Sequence, residues 1–309
     1  MFRVCDSGNA VAEETVLLIR CFRENEGGYM NTYHHRRIRR AGTYLLILLA
    51  VVVLAFPLYW MTVTAFTSRS ALLDNVRVLP EPENMTVDNF KKIIESHPIL
   101  TWFGNSVFVT AFSTVSALIV STMAAYSMSR YKYRSTNFLG FFLLVVRMLP
   151  ETLLVVPLYM MFTNMKLINN YASLIISNIT FIIPFSTWMM KGYFDSIPTT
   201  LEEAARIDGC SRLGAVRKVI LPLAAPGIAA TATYSAILGW SEFLFARTFI
   251  TQPQKWTVTV GIASLMGEYT IIWGEVMAAA ALSVLPIALV FIFLEKYMVA
   301  GVTAGAVKG

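Results

Sequence analysis

Two pairs of charged residues stand well inside long apolar runs of this chain. Arg147 and Glu151 are separated by four positions around Pro150, and Glu242 and Arg247 by five. An ionisable side chain at bilayer depth costs about 2.5–3.5 kcal/mol even on gentle insertion scales, so such groups face protein or water and usually pair. Two readings of Arg147 and Glu151 stay open: a polar lining for a hydroxyl-rich solute, or a structural pair locking two helices. Glu242 has Trp240 and Phe243 beside it. An apolar aromatic wall with a few polar groups suits a sugar, whose C–H faces stack and whose hydroxyls donate to carboxylates. Ordinary packing of Trp240 is the competing reading. His34, His35 and His97 have no metal-ligand spacing, Cys5, Cys21 and Cys210 form no C-x-x-C, and no G-x-x-x-x-G-K-[ST] is present. No catalytic residue, metal or cofactor is therefore expected, and any nucleotide must be held by another chain.

These residues must be positioned by membrane helices. Of 309 residues, 56% are hydrophobic and only 14% charged, against roughly 25% charged in soluble domains. The mean hydropathy is +0.60. A spanning helix needs about 20 mostly apolar residues. Residues 41–66 and 104–129 hold no charge at all, and 137–163, 171–190, 223–250 and 274–294 are of similar length. The runs are too long, and too poor in period-two alternation, to be strands. The expected fold is an all-α membrane protein with six transmembrane helices. Pro57, Pro150, Pro157, Pro184 and Pro286 fall within the runs, as in kinked helices around a cavity. GIAATATYSA (227–236) and AAAALS (278–283) permit close helix packing.

Basic residues orient the chain. With a cytoplasmic N-terminus, inner segments 30–40, 130–136, 191–222 and 295–309 carry 14 Lys/Arg, and outer segments 67–103, 164–170 and 251–273 of nearly the same summed length carry 6. Both termini are then cytoplasmic. The net charge of +6 reflects this asymmetry and not nucleic-acid binding. Residues 1–35 are expected to be a disordered cytoplasmic extension preceding a six-helix transmembrane domain over 36–309. The first 29 hold five acids and three bases, and are either that extension or an artefact of gene calling with translation starting at Met30.

The loop at 195–222, between the fourth and fifth runs, holds a written helix. Thr200 with Glu203 is spaced as a capping box, and Glu202 with Arg206 as an i, i+4 pair. Asp208-Gly209 supplies a stop, Ser211 a second cap, and Pro222 a first-turn residue for the fifth span. This predicts a short helix outside the membrane, unattached to any core of its own.

Glu203-Ala204-Ala205, Gly209 after three residues, and Val219-Ile220-Leu221-Pro222 after nine more resemble the E-A-A-x3-G-x9-I-x-L-P loop of bacterial ABC-importer permeases. Val219 stands where Ile is usual. The likeness runs over about 36–309 and narrows to the carbohydrate, maltose-permease-like branch through NMTVDNFKKI (84–93), RMLPETLLVVPLY (147–159), SEFLFA (241–246) and GVTAGAVKG (301–309). Ser241 and Glu151 depart from the branch's usual residues. The resemblance implies the type I importer fold, with a coupling role for Glu203, Ala204, Ala205, Gly209, Val219, Leu221 and Pro222. There the loop helix docks in a cleft of an ATP-hydrolysing subunit. Ala204 and Ala205 allow close approach, and Glu203 can pair with a base of that partner. The implied assembly in the inner membrane is a second, non-identical permease subunit, two ATP-binding subunits and an outer solute-binding protein that delivers sugar. Docking of that protein on loop 67–103 is one reading of the loop; a plain connector is the other. Arg147, Glu151, Trp240 and Glu242 are the candidate translocation path. The alternatives are another cargo, such as glycerol phosphate, or an ATP-independent secondary transporter. The latter leaves the E-A-A loop unexplained.

Overall fold

The structure is a computed structural model describing residues 42–306, apart from 75–77, 80, 132 and 268–270. The expectations for residues 1–35 lie outside the described residues. Two units are distinguished, one ending at Trp60 and the other beginning at Met61. Helix α1 (Gly42–Ala65, mean hydropathy 2.5) runs through that boundary. Within the first unit, Phe56 stacks on Trp60 at 6.1 Å between ring centroids.

In the second unit, α2 (Arg69–Asp74) and α3 (Asp88–Ser96) lead into α4 (Ile99–Arg130). A broken pair follows, α5 (Arg134–Arg147) and α6 (Glu151–Asn164), then α7 (Tyr171–Ser196) and α8 (Thr199–Ile207). Next come α9 (Arg212–Leu223), which contains a π-helical turn over Val216–Ile220, and α10 (Ala225–Ser241). Two short helices, α11 (Leu244–Phe249) and α12 (Val258–Ser264), precede α13 (Trp273–Ala306). The described residues form helices with no sheet.

The scaffold is the pair α4 and α7, which make the most extensive helix–helix contact. Its cause is visible in α4, where Ser106, Thr110, Ser113, Ala117, Ser121 and Ala125 form a buried stripe at spacings of three and four. Ser173, Ser177 and Ser186 are buried on α7. Small residues let backbones approach where burial of apolar surface gives helices little reason to associate. Helix α10 closes on both, with the Ser186 and Ser235 hydroxyls 3.3 Å apart.

Four helices are long and apolar enough to cross a membrane, and six segments do so if each bent pair is one span. The expected third and fifth spans are thus not single straight rods. The third turns by 93° between Arg147 and Glu151, and the fifth by 72° between Leu223 and Ala225. Pro150 explains the first turn, because it cannot donate a backbone bond and sits in extended geometry before α6. Pro222 falls before the second turn, not in the first turn of α10; Pro226 takes that place. Pro157, Pro184 and Pro286 are accommodated inside α6, α7 and α13.

At the N-terminal end of α4, the loops are cross-braced. Trp102 donates to the Pro253 carbonyl at 3.0 Å, and Asn105 donates to the carbonyls of Gln254 and Trp256 at 2.9 Å each. Trp102 lies so close to Gly261 that a Cβ there would stand 2.1 Å from its ring. Helix α3 is fastened by Asn89, which donates to the carbonyls of Ala65 and Thr67 at 2.9 Å each.

Candidate coupling helix and polar cluster

The loop helix α8 starts at Thr199, directly after Pro198, and no side chain caps it. The expected Thr200–Glu203 capping box is therefore not formed: the helix begins two residues earlier than a Thr200 cap would place it, and Thr200 lies within its first turn. Its end follows expectation. Gly209 adopts φ +88°; its N–H donates to Arg206 O at 3.1 Å, and the Cys210 N–H to Ala205 O at 3.0 Å. Those two bonds are the paired closure that a left-handed residue permits. Ser211 then caps α9, its hydroxyl accepting from the Gly214 N–H at 3.1 Å.

The helix is not unattached, as its sequence suggested. Glu202 does not pair with Arg206. Its Oε2 accepts from Arg130 Nε at 3.2 Å and its Oε1 from the Tyr126 hydroxyl at 2.6 Å. Arg130 also donates to the carbonyls of Phe194 at 3.1 Å and Ile197 at 3.3 Å, at the end of α7. The pair is largely buried, with side chains 9% and 13% exposed. An exposed i, i+4 pair contributes about 0.2–0.5 kcal/mol, whereas a hydrogen-bonded ionic contact away from water is stronger. That difference sends Glu202 inward.

Beneath it, Ile220 is fully buried among Ala125, Met190, Phe194, Ile197 and Ala224. The expected coupling residues consequently divide. Ala205 is buried on the inner face, and Val219 and Leu221 are half-buried against the same cluster. Glu203, Ala204, Gly209 and Pro222 are exposed. Around them, Leu201, Ile207 and Leu213 are exposed too, Ile207 by 86%. Arg130 and Tyr126 were not singled out from the sequence. The available signal is that Arg130 is the one charge in the 32 residues of α4.

A second group lies at the bends. Arg147 Nη1 meets Glu151 Oε1 at 3.0 Å across the turn between α5 and α6. Each charge also suits its helix end, a cation in the last turn of α5 and an anion in the first turn of α6. The pair is therefore local to the third segment, and Tyr234 of α10 lies against the guanidinium.

Glu242 occupies the gap between α10 and α11. Its carboxylate oxygens accept from the backbone N–H groups of Phe245 at 2.6 Å and Ala246 at 3.0 Å, so it caps α11. The charge of Glu151 is felt at this carboxylate. Arg247, its nearest base in sequence, instead lies over the Trp256 ring at 5.9 Å. Trp240 belongs to different surroundings. Its indole donates to Ser283 O at 3.1 Å, its ring packs on Phe103 at 6.1 Å, and it borders an apolar cavity of about 240 Å³ with Thr110, Ala236 and Pro286. Arg147 and Glu151 are thus brought together, with Glu242 within reach of the Glu151 charge, and Trp240 is not tied to them.

Residues 117–304 match the family of binding-protein-dependent transport system inner membrane components. The trehalose/maltose transport system permease protein of Thermococcus litoralis is 34% identical over 267 residues, covering 85% of this chain and 94% of that protein. The arabinooligosaccharides transport system permease protein of Halalkalibacterium halodurans is 31% identical over 83% of this chain and 92% of its own. An inner membrane ABC transporter permease protein of Escherichia coli is 32% identical over 89% and 98%. Among solved structures, a bacterial ABC transporter involved in the import of the acidic polysaccharide alginate shares the fold, with TM-score 0.73 at 22% identity over 84% of this chain and 96% of that one. The chain belongs to the binding-protein-dependent transport system inner membrane components: it is a permease subunit of an ABC importer, a transport protein whose ATPase is a separate subunit.

Proposed function

We propose that this permease forms half of the pore of a sugar importer. Six membrane segments, two of them bent, cross the inner membrane with both termini in the cytoplasm. A second, non-identical permease subunit completes the pore, two ATP-binding subunits dock beneath it, and a solute-binding protein delivers an oligosaccharide or related polyol from outside. The reading of the cargo is supported by relatives named for arabinooligosaccharides and for trehalose/maltose. The polar group of Arg147, Glu151 and Glu242 is the part of the translocation path that selects for hydroxyl groups, and Trp240, set against Phe103 and Ser283, lies apart from it.

The observation that carries coupling is the split of α8. Its inner face is fastened by Glu202 and Ala205, while Leu201, Glu203, Ala204 and Ile207 are exposed. Exposed apolar side chains on a short helix, with an acid among them, suit insertion into a cleft that carries a base. The test is ATP-dependent uptake in proteoliposomes holding the whole importer. Replacing Glu203 and Gly209 together leaves membrane insertion intact and abolishes both uptake and the coupling of ATP hydrolysis. Normal uptake in that double variant would overturn docking through α8.

A further inference from the structure

Helix α8 joins α7 only through Ile197 and Pro198, a two-residue corner in extended geometry. Such a corner bends unless something braces it. Two cavities border it, about 490 Å³ lined by Ser129, Tyr133, Lys191 and Pro198, and about 150 Å³ lined by Tyr131, Glu203, Arg206 and Arg212. Packing alone thus leaves room for α8 to swing. Arg130 lines both cavities and is the brace between them.

We propose that Arg130 is a positioning residue for ATP coupling: through Glu202 and the carbonyls of Phe194 and Ile197, it makes α8 and the ends of α4 and α7 one rigid corner. Force applied to the docking helix then moves both long helices together instead of folding the corner. The inference rests on the reading of α8 as the docking helix and adds the element that transmits its movement.

Three features argue for transmission over simple stabilisation. The guanidinium reaches two elements at once, α8 through Glu202 and the α7 terminus through two carbonyls. Arg130–Glu202 is also the one ion pair joining α8 to the rest of the chain among the described residues. Finally, a buried pair resists separation, because parting it leaves two charges uncompensated, while an exposed pair yields to water at little cost. Arg206 was available four residues along for an exposed pair, and Glu202 turns away from it.

The experiment uses the importer assembled with its ATPase subunit in lipid nanodiscs. Cys5→Ser, Cys21→Ser and Cys210→Ala remove native thiols, and Asp208→Cys with Met123→Cys places spin labels on two exposed sites, beside α8 and on α4. The expected result is one narrow separation that is the same without nucleotide and after trapping with ATP and vanadate. Arg130→Gln broadens or shifts that separation and lowers the solute moved per ATP hydrolysed, and Arg130→Lys restores part of both. Should Arg130→Gln fail to accumulate, Glu202→Gln carries the same expectation in weaker form. A separation that changes on trapping in the otherwise unaltered protein, or variants with an unaltered separation and stoichiometry, overturns the proposal. An ATPase subunit that fails to assemble with the unaltered chain sinks the docking reading instead, so the two failures are distinguishable.

Discussion

Glu242 closes on the backbone of Phe245, its Oε1 accepting from that N–H at 2.6 Å while Oε2 takes the next N–H, of Ala246, at 3.0 Å. A carboxylate with both oxygens engaged this way is first a cap for α11. The interruption between α10 and α11 frees N–H groups that water cannot reach, and an acid at that helix start satisfies two of them. Loss of a cap costs about 0.5–2 kcal/mol. Glu242→Ala is expected to lower the melting temperature of the purified complex and to reduce uptake. Glu242→Asp, with its shorter reach, falls between. A melting temperature unchanged in Glu242→Ala would remove the capping role.

The Arg147–Glu151 pair gives a second expectation. Both side chains are partly exposed, so the pair itself contributes little to stability. Removing Arg147 alone takes away the partner of Glu151, whose charge is felt at Glu242, and two acids within each other's field disfavour each other's charge. Arg147→Met is thus expected to impair uptake more than the double replacement of Arg147→Met with Glu151→Leu does. A double-mutant cycle on melting temperature and uptake separates the two effects. Additive losses in both would mean that the pair does not act as a unit.

How much of this was legible beforehand depends on the range of the interaction. Most local signals held: the uncharged runs became helices, Gly209 took its left-handed conformation, and Ser211 capped α9, whereas the Thr200–Glu203 capping box did not form. Prolines were ambiguous, because Pro150 coincides with a sharp bend while Pro157, Pro184 and Pro286 stay within helices. A proline removes one hydrogen bond wherever it stands, and neighbouring helices decide whether the chain turns. Partner choice was not legible. Glu202 has a good local base in Arg206, yet it meets Arg130, 72 positions away, since burial favours the inward contact. Glu242 has Arg247 nearby in sequence and uses backbone instead. Spacing reports which pairs can meet, but not which face of a helix is covered.

Gly209 offers a test of backbone geometry separate from side-chain clash. A Cβ there would meet nothing within 4 Å, and the strain lies wholly in φ +88°. A non-glycine residue in the left-handed region costs roughly 1–2 kcal/mol. Gly209→Ala is expected to loosen the end of α8 and weaken assembly with the ATPase subunit, while Gly209→Asn, which tolerates this conformation better, loses less. Equal losses from Ala and Asn would point to a contact made by the glycine surface and not to its backbone.

Gly261 is the opposite case, where space and not conformation excludes a side chain. A Cβ would stand 2.1 Å from the Trp102 ring, and Trp102 is only 2% exposed and held by its bond to Pro253 O. The indole cannot withdraw without breaking that bond and disturbing Ile93, Ile99, Val258 and Ala279 packed in the same cluster. Overpacking of this kind costs about 1–3 kcal/mol and sometimes more. Gly261→Ala is expected to lower the melting temperature, and Trp102→Phe in the same chain to recover part of the loss by vacating space, despite forfeiting the indole bond. Because α8 lies at the other end of α4, assembly with the ATPase subunit should persist in Gly261→Ala wherever the chain is folded. A variant that stays fully folded but loses its ATPase subunit would show that the two ends of α4 are coupled more tightly than their separate clusters suggest.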